Sequence, residues 1–308
     1  MGGRPGSETF FDRVHHDRLL ARLGQKISDD RLLQLIRRML KAKVVMPDGV
    51  VVSTQEGVPQ GGPLSPLLSN IVLDELDWEL ARRGHLFVRY ADDCNIYVRS
   101  ERAGRRVMAS VTRFIERRMR LKVNASKSAV ARPEERHFLG FRLRRDPLSG
   151  EVEELLSKRS QDRIKAKIRE LTPRNWGQSL AACIGQLNAY LRGWIGFFQV
   201  VTEAEERTLH TLDAHIRRRL RAIVLRHWKR RRTIVRRLTR LGARASTAGV
   251  VVYRQNKSWW ALSAAHPVNK ALSNAYFRDR YLLSVKEHWR ELRSQSVIGP
   301  TQLALDLG

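Results

Sequence analysis

The stretch FVRYADDCNIYV, from Phe87 to Val98, places two adjacent acidic residues between two runs in which apolar residues alternate. The alternating residues favour strands, and the small and acidic residues between them favour a tight turn. The stretch therefore predicts a β-hairpin with Asp92 and Asp93 at its tip. Crowded carboxylates repel each other unless a cation lies between them, and their hard oxygen atoms suit Mg²⁺ or Mn²⁺. A solvated turn is the alternative, because Asp is common at such positions.

The composition indicates a globular protein with a polyanionic partner. The 308 residues suffice for two domains with cores of their own, and 42% of them are hydrophobic. The 58 Lys and Arg residues outnumber the 31 Asp and Glu residues, so the formal net charge is +27. Nucleic acid is the leading partner for such a basic chain. A basic membrane-surface protein is the competing class, and the lack of an 18-residue apolar run or a signal peptide argues against it.

The positive charge is concentrated in the second half of the chain. Residues 1–156 contain 28 basic and 21 acidic residues, whereas residues 157–308 contain 30 basic and 10 acidic residues. Residues 214–278 contain no Asp or Glu at all. We therefore expect the first half to carry the chemistry and the second half to bind a polyanion.

The cysteine count excludes two further classes of protein. Cys94 and Cys183 are too few for a disulfide framework or for a zinc cluster. They indicate a reducing, intracellular setting.

Apolar spacing predicts an α+β first domain. Helices are expected within residues 8–27, at 29–41, after the Gly- and Pro-rich loop at 57–63, and at 102–119. Ser65 is the expected N-cap of the helix after the loop, with Pro66 at its first position and Gly84 just past its end. Short strands are expected at 50–53, 121–123 and 137–143. Helices and strands that alternate around one sheet define the α+β class.

From Ser160 onward the pattern is helical, with helices predicted at 160–171, 178–198 and 203–241. The third helix has an apolar face and a basic face, the latter formed by Arg217, Arg218, Arg219, Arg221, Arg226, Lys229, Arg230, Arg231 and Arg232. This face predicts phosphate binding, because no acidic residue neutralises it; a merely solvated face is the alternative. Most aromatic residues of the segment are expected in the core, with one or two that stack on unpaired bases. They are Trp228, Tyr253, Trp259, Trp260, Tyr276 and Phe277.

Several short motifs occur in an order that resembles the central motifs of group II intron reverse transcriptases. They are FFDRVHHD (10–17), EGVPQGGPLSPLLSN (56–70), RYADD (89–93), LKVNASKS (121–128) and FLGF (138–141). LNAYLRGWIGFF (187–198), HIRRRLRAIVLRHWKRRR (215–232) and the region around AYF (275–277) resemble the thumb and maturase domain of that family. The resemblance covers residues 9–283.

The resemblance implies an architecture and a set of partners. A disordered or mistranslated leader at 1–8 would precede a partial right-hand polymerase palm at 9–156, an all-α thumb at 157–200, and an RNA-binding maturase domain with a flexible tail at 201–308. The implied activity is RNA-directed DNA synthesis, together with intron RNA binding for splicing and mobility. The implied partners are group II intron RNA, a DNA or RNA primer-template and dNTPs, in a ribonucleoprotein of the bacterial cytoplasm and without a membrane. The oligomeric state stays open.

The resemblance also implies roles for single residues. Asp92 would bind Mg²⁺ in a two-metal nucleotidyl transfer, and Asp93 would bind metal or support the primer end. The residues expected near the nucleotide and template are Phe11, Pro59, Gln60, Gly61 and Lys127. For Phe11, simple core packing is the alternative. Phe138, Leu139 and Gly140 would form the primer grip.

Two departures from the family pattern lower the expected activity. The printed sequence has Gly6 where the family has a metal-binding aspartate, and no fingers region precedes residue 9. The tail also lacks the Cys/His cluster of the optional DNA endonuclease domain. We therefore expect a catalytically impaired part of a longer reverse transcriptase. An RNA-binding splicing factor without polymerisation and a decayed remnant are the alternatives.

Overall fold

The fold is mainly helical, with three two-stranded antiparallel sheets among the described residues. It was obtained as a computed structural model that describes residues 15–42, 44–45, 51–52, 64–173, 177, 179–254 and 258–297. The packing divides the chain into two units, Met1–Arg132 and Pro133–Gly308. The mixture of helices and small sheets agrees with the predicted α+β class, but the described strands form separate hairpins and not the one sheet that was predicted. No helix in the described ranges is long and apolar enough to cross a membrane.

The first unit combines four helices with two short hairpins in its described part. Its elements in chain order are α1 (His16–Gly24), α2 (Asp30–Leu40), β1 (Val44–Val45), β2 (Val51–Val52), α3 (Ser65–Arg82), β3 (Leu86–Tyr90), β4 (Asp93–Tyr97) and α4 (Glu101–Phe114). α3 separates two small cores. Leu68 packs with leucines of α1 and α2, whereas Leu73, Leu76 and Leu80 pack against α4 and the β3–β4 hairpin.

The termini of α3 confirm one sequence prediction and correct another. Leu64 is the N-cap, so Ser65 and Pro66 are already inside the helix, and the predicted Ser65 cap is wrong by one position. Gly84 ends the helix as predicted, with a φ of +69°. The N–H groups of Gly84 and His85 donate to the last-turn carbonyls of Ala81 (2.9 Å) and Leu80 (3.0 Å). This is the hydrogen-bond pattern that a glycine in the left-handed region permits.

The chain after α4 differs from the sequence prediction. The last five residues of the helix predicted at 102–119 form a π-helical turn, Ile115–Met119, and Arg120 follows with a φ of +60°. The predicted strand at 121–123 is wrong, because these residues pair with no described strand. Leu121 is buried instead, and its N–H donates back to the carbonyl of Ile115 at 3.1 Å. The backbone of Leu121 thus bonds to the end of the preceding helix and not to a neighbouring strand.

The described residues of the second unit form a helical assembly with one hairpin. Its elements are β5 (Phe141–Arg145), β6 (Val152–Leu156), α5 (Lys158–Leu171), α6 (Leu180–Phe198), α7 (Glu206–Trp228), α8 (Arg231–Arg240), α9 (Ala245–Arg254), α10 (Trp259–Leu262), α11 (His266–Ala271), α12 (Asn274–Arg278) and α13 (Val285–Val297). β6 was not predicted. The helix predicted at 203–241 is two helices, because Lys229, with a φ of +54°, separates α7 from α8.

Two buried polar side chains hold the C-terminal part of this unit in place. Asp213 of α7 accepts the Ser284 hydroxyl and the N–H groups of Val285 (2.8 Å) and Lys286 (3.2 Å). Asn188 of α6 donates to the carbonyl of Tyr281 at 2.6 Å and accepts the N–H of Leu283 at 3.0 Å. Asp213 therefore acts as the N-cap of α13 from a different helix.

Candidate functional site

The acidic hairpin has the predicted geometry. β3 and β4 pair in register from Leu86–Tyr97 to Tyr90–Asp93, so only Ala91 and Asp92 form the loop. Ala91 has a φ of +52°, which is uncommon for a residue with a side chain. Asp92 and Asp93 are both exposed. The two carboxylates are thus presented to solvent at the end of a short, tightly closed hairpin.

The inner face of the hairpin packs onto the helices beneath it. Phe87, Cys94 and Ile96 contact the core formed by α3, α4 and Leu121. Burial raises the pKa of the Cys94 thiol to about 11, and the carboxylate of Asp77 adds to this rise. Because successive side chains of a strand point to opposite faces, Leu86, Val88 and Tyr90 lie on the exposed face of the hairpin.

Arg89 fixes the hairpin tip to α3, a role that was not predicted from the sequence. Its guanidinium donates to both carboxylate oxygens of Asp77, at 2.8 Å through Nε and 2.5 Å through Nη2. Its Nη1 donates to the carbonyl of Ala91 at 2.8 Å and to Asn70 at 2.9 Å. The hydrogen bonds that Arg89 donates to Asp77 raise the pKa of the Arg89 guanidinium. An arginine on the inward side of a strand, preceded by a helix rich in acidic residues, is the sequence signal that could have identified it.

The donor set at the tip suits a hard divalent cation but provides only part of its coordination. Two adjacent exposed carboxylates are oxygen ligands of the type that Mg²⁺ takes in phosphoryl-transfer sites. Within the described ranges, no group of three or more His, Cys, Asp or Glu residues could hold a metal ion. Asp92 and Asp93 therefore fit a shared site that needs further oxygen ligands. Gly6 lies outside the described residues.

The other residues predicted for the first unit are only partly described. Lys127 is exposed, and its N–H donates to the carbonyl and the side chain of Asn124 in a tight turn, each at 3.2 Å. Phe11, Pro59, Gln60 and Gly61 lie outside the described residues.

The predicted primer-grip residues form a tight turn in the second unit. Phe138 and Phe141 exchange two backbone hydrogen bonds, of 3.0 and 2.9 Å, around Leu139 (φ +51°) and Gly140 (φ +87°). Two positive φ values are typical of the most common two-residue hairpin turn. The carbonyl of Gly140 accepts the Ser160 hydroxyl at 2.8 Å, which fixes the turn to α5.

The predicted RNA-binding residues Arg218, Arg219 and Arg221 make contacts within the second unit. Arg219 donates to the carbonyl of Thr172 at 2.5 Å, and Arg221 donates to the carbonyl of Leu272 at 2.9 Å. Burial lowers the pKa of Arg221 to about 10. The guanidinium of Arg218 lies 4.1 Å from the ring centre of Trp260. The nine basic residues therefore do not share one face of a single helix as predicted, because Lys229 separates α7 from α8. Their RNA binding stays a prediction.

The remaining basic residues are distributed around the end of α7 and the start of α8. Arg226, Lys229, Arg230 and Arg232 are exposed, whereas Arg217 and Arg231 are half-buried. We call the four exposed residues the basic surface. It occupies the break between the two helices, where Lys229 has its left-handed backbone.

Family models match both halves of the chain. The model described as reverse transcriptase (RNA-dependent DNA polymerase) matches residues 7–143, which include the acidic hairpin. The model described as group II intron, maturase-specific domain matches residues 161–241, which include all nine predicted basic residues. The chain carries a reverse transcriptase domain and a group II intron maturase-specific domain. The resemblance found in the sequence is thereby confirmed.

The chain is also similar to several curated proteins. The chain is 28% identical over 211 residues to Protein YkfC of Escherichia coli (strain K12), across 57% of this chain and 53% of that protein. It is 45% identical over 67 residues to the group II intron-encoded protein LtrA of Lactococcus lactis subsp. cremoris, across 22% of this chain and 11% of LtrA. An uncharacterized 91 kDa protein in a cob intron of Schizosaccharomyces pombe is 43% identical over 67 residues, across 22% and 8%. The matched region thus spans about half of YkfC and a much smaller share of the others.

Proposed function

We propose that this chain is a group II intron reverse transcriptase/maturase that combines a polymerase-type metal site with an intron RNA-binding surface. The hairpin that presents Asp92 and Asp93 inside the reverse transcriptase domain is the observation that carries the proposal. The same proposal assigns residues 9–156 to a partial palm, 157–200 to a thumb and 201–308 to the maturase domain. Its partners are group II intron RNA, a primer-template and dNTPs.

The proposed chemistry is nucleotidyl transfer from a dNTP to a primer 3′-hydroxyl. Two Mg²⁺ ions would lower the pKa of that hydroxyl and stabilise charge on the phosphoryl group and the pyrophosphate. Asp92 and Asp93 would bind the metal ions. Arg89 would keep both carboxylates in position through its hydrogen bond to the carbonyl of Ala91.

The other residues of the proposed site would bind and orient the substrates. Lys127 would neutralise the triphosphate as a compact cation. Phe138, Leu139 and Gly140 would hold the primer end. The residues that would contact nucleotide and template are Phe11, Pro59, Gln60 and Gly61.

A second candidate function is RNA binding for splicing without polymerisation. At the hairpin tip the described residues supply two carboxylates, and this chain has Gly6 where the family carries a third. A metal site that lacks one bridging carboxylate would lose most of its catalysis. The RNA-binding half of the proposal does not depend on this site.

Primer extension on an RNA template with Mg²⁺ and dNTPs separates the two candidates. We expect weak extension that Asp92→Asn and Asp93→Asn each abolish, while Asp30→Asn, an exposed control in α2, leaves it unchanged. Equal extension by Asp92→Asn would exclude the hairpin as the metal site. No extension by the unaltered chain, with RNA binding intact, would establish the second candidate.

The basic surface is tested by the salt dependence of binding to a transcribed group II intron. The first variant combines Arg226→Gln, Arg230→Gln and Arg232→Gln. It is expected to weaken binding and to reduce the slope of log K against log salt by about 1 for each phosphate that the protein no longer binds. The control variant combines Arg31→Gln, Arg37→Gln and Arg38→Gln, and removes the same charge from α2. Equal effects of both triple variants would show that only net charge matters.

A further inference from the structure

A cavity of about 310 Å³ lies between the last turns of α7 and the short helix α10. Its lining residues are Ala222, Arg226, Ser258, Trp259 and Trp260. The volume is near the lower limit of ligand pockets, which span about 300–1,000 Å³, so it suits one flat ring system with its linker. Neither the family models nor the motifs of the reverse transcriptase resemblance assign this cavity a role.

The charge around the cavity selects an anionic ligand. All of its lining residues fall within residues 214–278, which contain no Asp or Glu. Arg226 is exposed at the rim and belongs to the basic surface. A ligand that enters the cavity therefore meets aromatic rings inside and a permanent cation outside.

The tryptophans are held in place before any ligand arrives. Ser258 caps α10 by accepting the N–H of Ala261 at 3.3 Å, which fixes the start of the helix. The Arg218 guanidinium lies over the Trp260 ring at 4.1 Å, and the edge of His215 faces the same ring at 6.5 Å. Trp259 packs partly against the core of the second unit. Ordering the rings on binding therefore costs little conformational entropy.

We infer that this cavity binds one unpaired RNA nucleotide, with its base against Trp259 and Trp260 and its phosphate at Arg226. Every base has a π-face that stacks on aromatic rings, and phosphate is the natural partner of an arginine. The inference rests on the proposed RNA-binding function and adds to it a preference for bulged or looped nucleotides. A base-paired nucleotide cannot enter without unstacking, which costs free energy.

The test compares two short RNA hairpins that differ at a single bulged nucleotide, one with a bulged 2-aminopurine and one with an abasic bulge. Both present the same phosphates, so only base contacts distinguish them. The full chain is expected to bind the 2-aminopurine hairpin roughly 5- to 150-fold more tightly, the range that stacking of one base provides. The fluorescence of 2-aminopurine is expected to fall on binding, because the stacked base is quenched.

Two substitutions of Trp259 separate stacking from packing. Trp259→Leu is expected to bind both hairpins equally, and Trp259→Phe is expected to keep most of the preference and the quenching. A side chain that merely fills space would make the two variants alike. Tyr253→Leu, an exposed aromatic of α9 outside the cavity lining, is the matched control and should keep the full preference.

Each outcome bears on a distinct statement. Equal affinity of the unaltered chain for both hairpins, with binding still sensitive to salt, would overturn the base pocket and leave the RNA-binding proposal standing. No binding to either hairpin or to a transcribed group II intron would overturn the RNA-binding proposal itself. A preference that survives Trp259→Leu would place the base elsewhere on the chain.

Discussion

Arg89 joins both carboxylate oxygens of Asp77, and through this pair α3 holds the loop of the acidic hairpin. The same guanidinium reaches the carbonyl of Ala91, one residue before Asp92. The side chain of Arg89 is only 12% exposed and that of Asp77 28%, so the pair is shielded from water and salt. The position of the proposed metal ligands thus depends on a residue that does not bind metal.

Arg89→Met is expected to lower the free energy of unfolding of the first unit by about 2–3 kcal/mol, because it leaves Asp77 poorly solvated and unpaired. Any Asp92-dependent primer extension should fall with it. The measurement is protection of Cys94 from alkylation as urea is raised. Arg82→Met removes an exposed arginine from Glu79, which Arg83 also contacts, and should therefore cost less stability than Arg89→Met. Similar losses in both variants would argue against a special role for Arg89.

Asp213→Ala is expected to destabilise the second unit by about 2–3 kcal/mol. The change removes a charged acceptor from three donors at the start of α13 and leaves the N–H of Val285 buried without its partner. Asp213→Asn keeps one acceptor oxygen and should lose less. Hydrogen exchange of the α13 amides is the direct readout, and unchanged protection in Asp213→Ala would contradict the capping role.

Gly140→Ala is expected to lower the free energy of unfolding more than Gly242→Ala, although both glycines have positive φ values, of +87° and +91°. A Cβ at Gly140 would lie 2.7 Å from the Ser160 oxygen and 3.2 Å from the Phe198 ring, whereas one at Gly242 would meet nothing within 4 Å. Backbone strain alone costs about 1–2 kcal/mol in each variant. The additional loss of stability in Gly140→Ala therefore measures the cost of the close contact with Ser160 and Phe198. Urea denaturation of the two variants gives this comparison. Equal losses would show that the turn can move away from α5.

The two cysteines are expected to react slowly with alkylating agents at pH 8. Burial raises the pKa of both thiols to about 11, so the reactive thiolate is scarce. Because the unfolded chain ionises at lower pH, each thiol contributes stability at neutral pH that is lost as the pH rises from about 9 to 11. Mass spectrometry of alkylated Cys94 and Cys183 reports the two units separately. Alkylation at pH 8 as fast as in the denatured chain would contradict the burial of that thiol.

Features that depend on local chemistry were predictable from the sequence. The hairpin at Asp92 and the helix end at Gly84 were predicted because alternation and glycine act within a few residues. β6 was missed because Glu151, Glu153 and Glu154 make that segment resemble a polar loop. Besides pairing with β5, this strand is held by distant groups, since the carbonyl of Glu154 accepts the N–H of Thr202 at 2.9 Å and Glu205 accepts that of Leu156 at 3.1 Å.

The errors in the basic region have the same physical origin. Arginine favours helices, so nothing in the residues around Lys229 indicated a break between α7 and α8. Nor could charge spacing show that Arg219 and Arg221 donate to backbone carbonyls about 50 residues away. The residue types and the order of the motifs identified the family, whereas the division of arginines between structural and exposed roles required the packed structure.

The acid-free segment at 214–278 gives the two units opposite responses to dissolved salt. In the first unit, pairs such as Arg22 with Asp74, at 2.8 Å, lose attraction as ions screen them. In the second unit, the basic residues of this segment repel one another without carboxylates of their own to offset them, and the same screening relieves that repulsion. Anions from solution are thus expected to stabilise this half of the molecule, and added salt should raise its melting temperature while it lowers that of the other half.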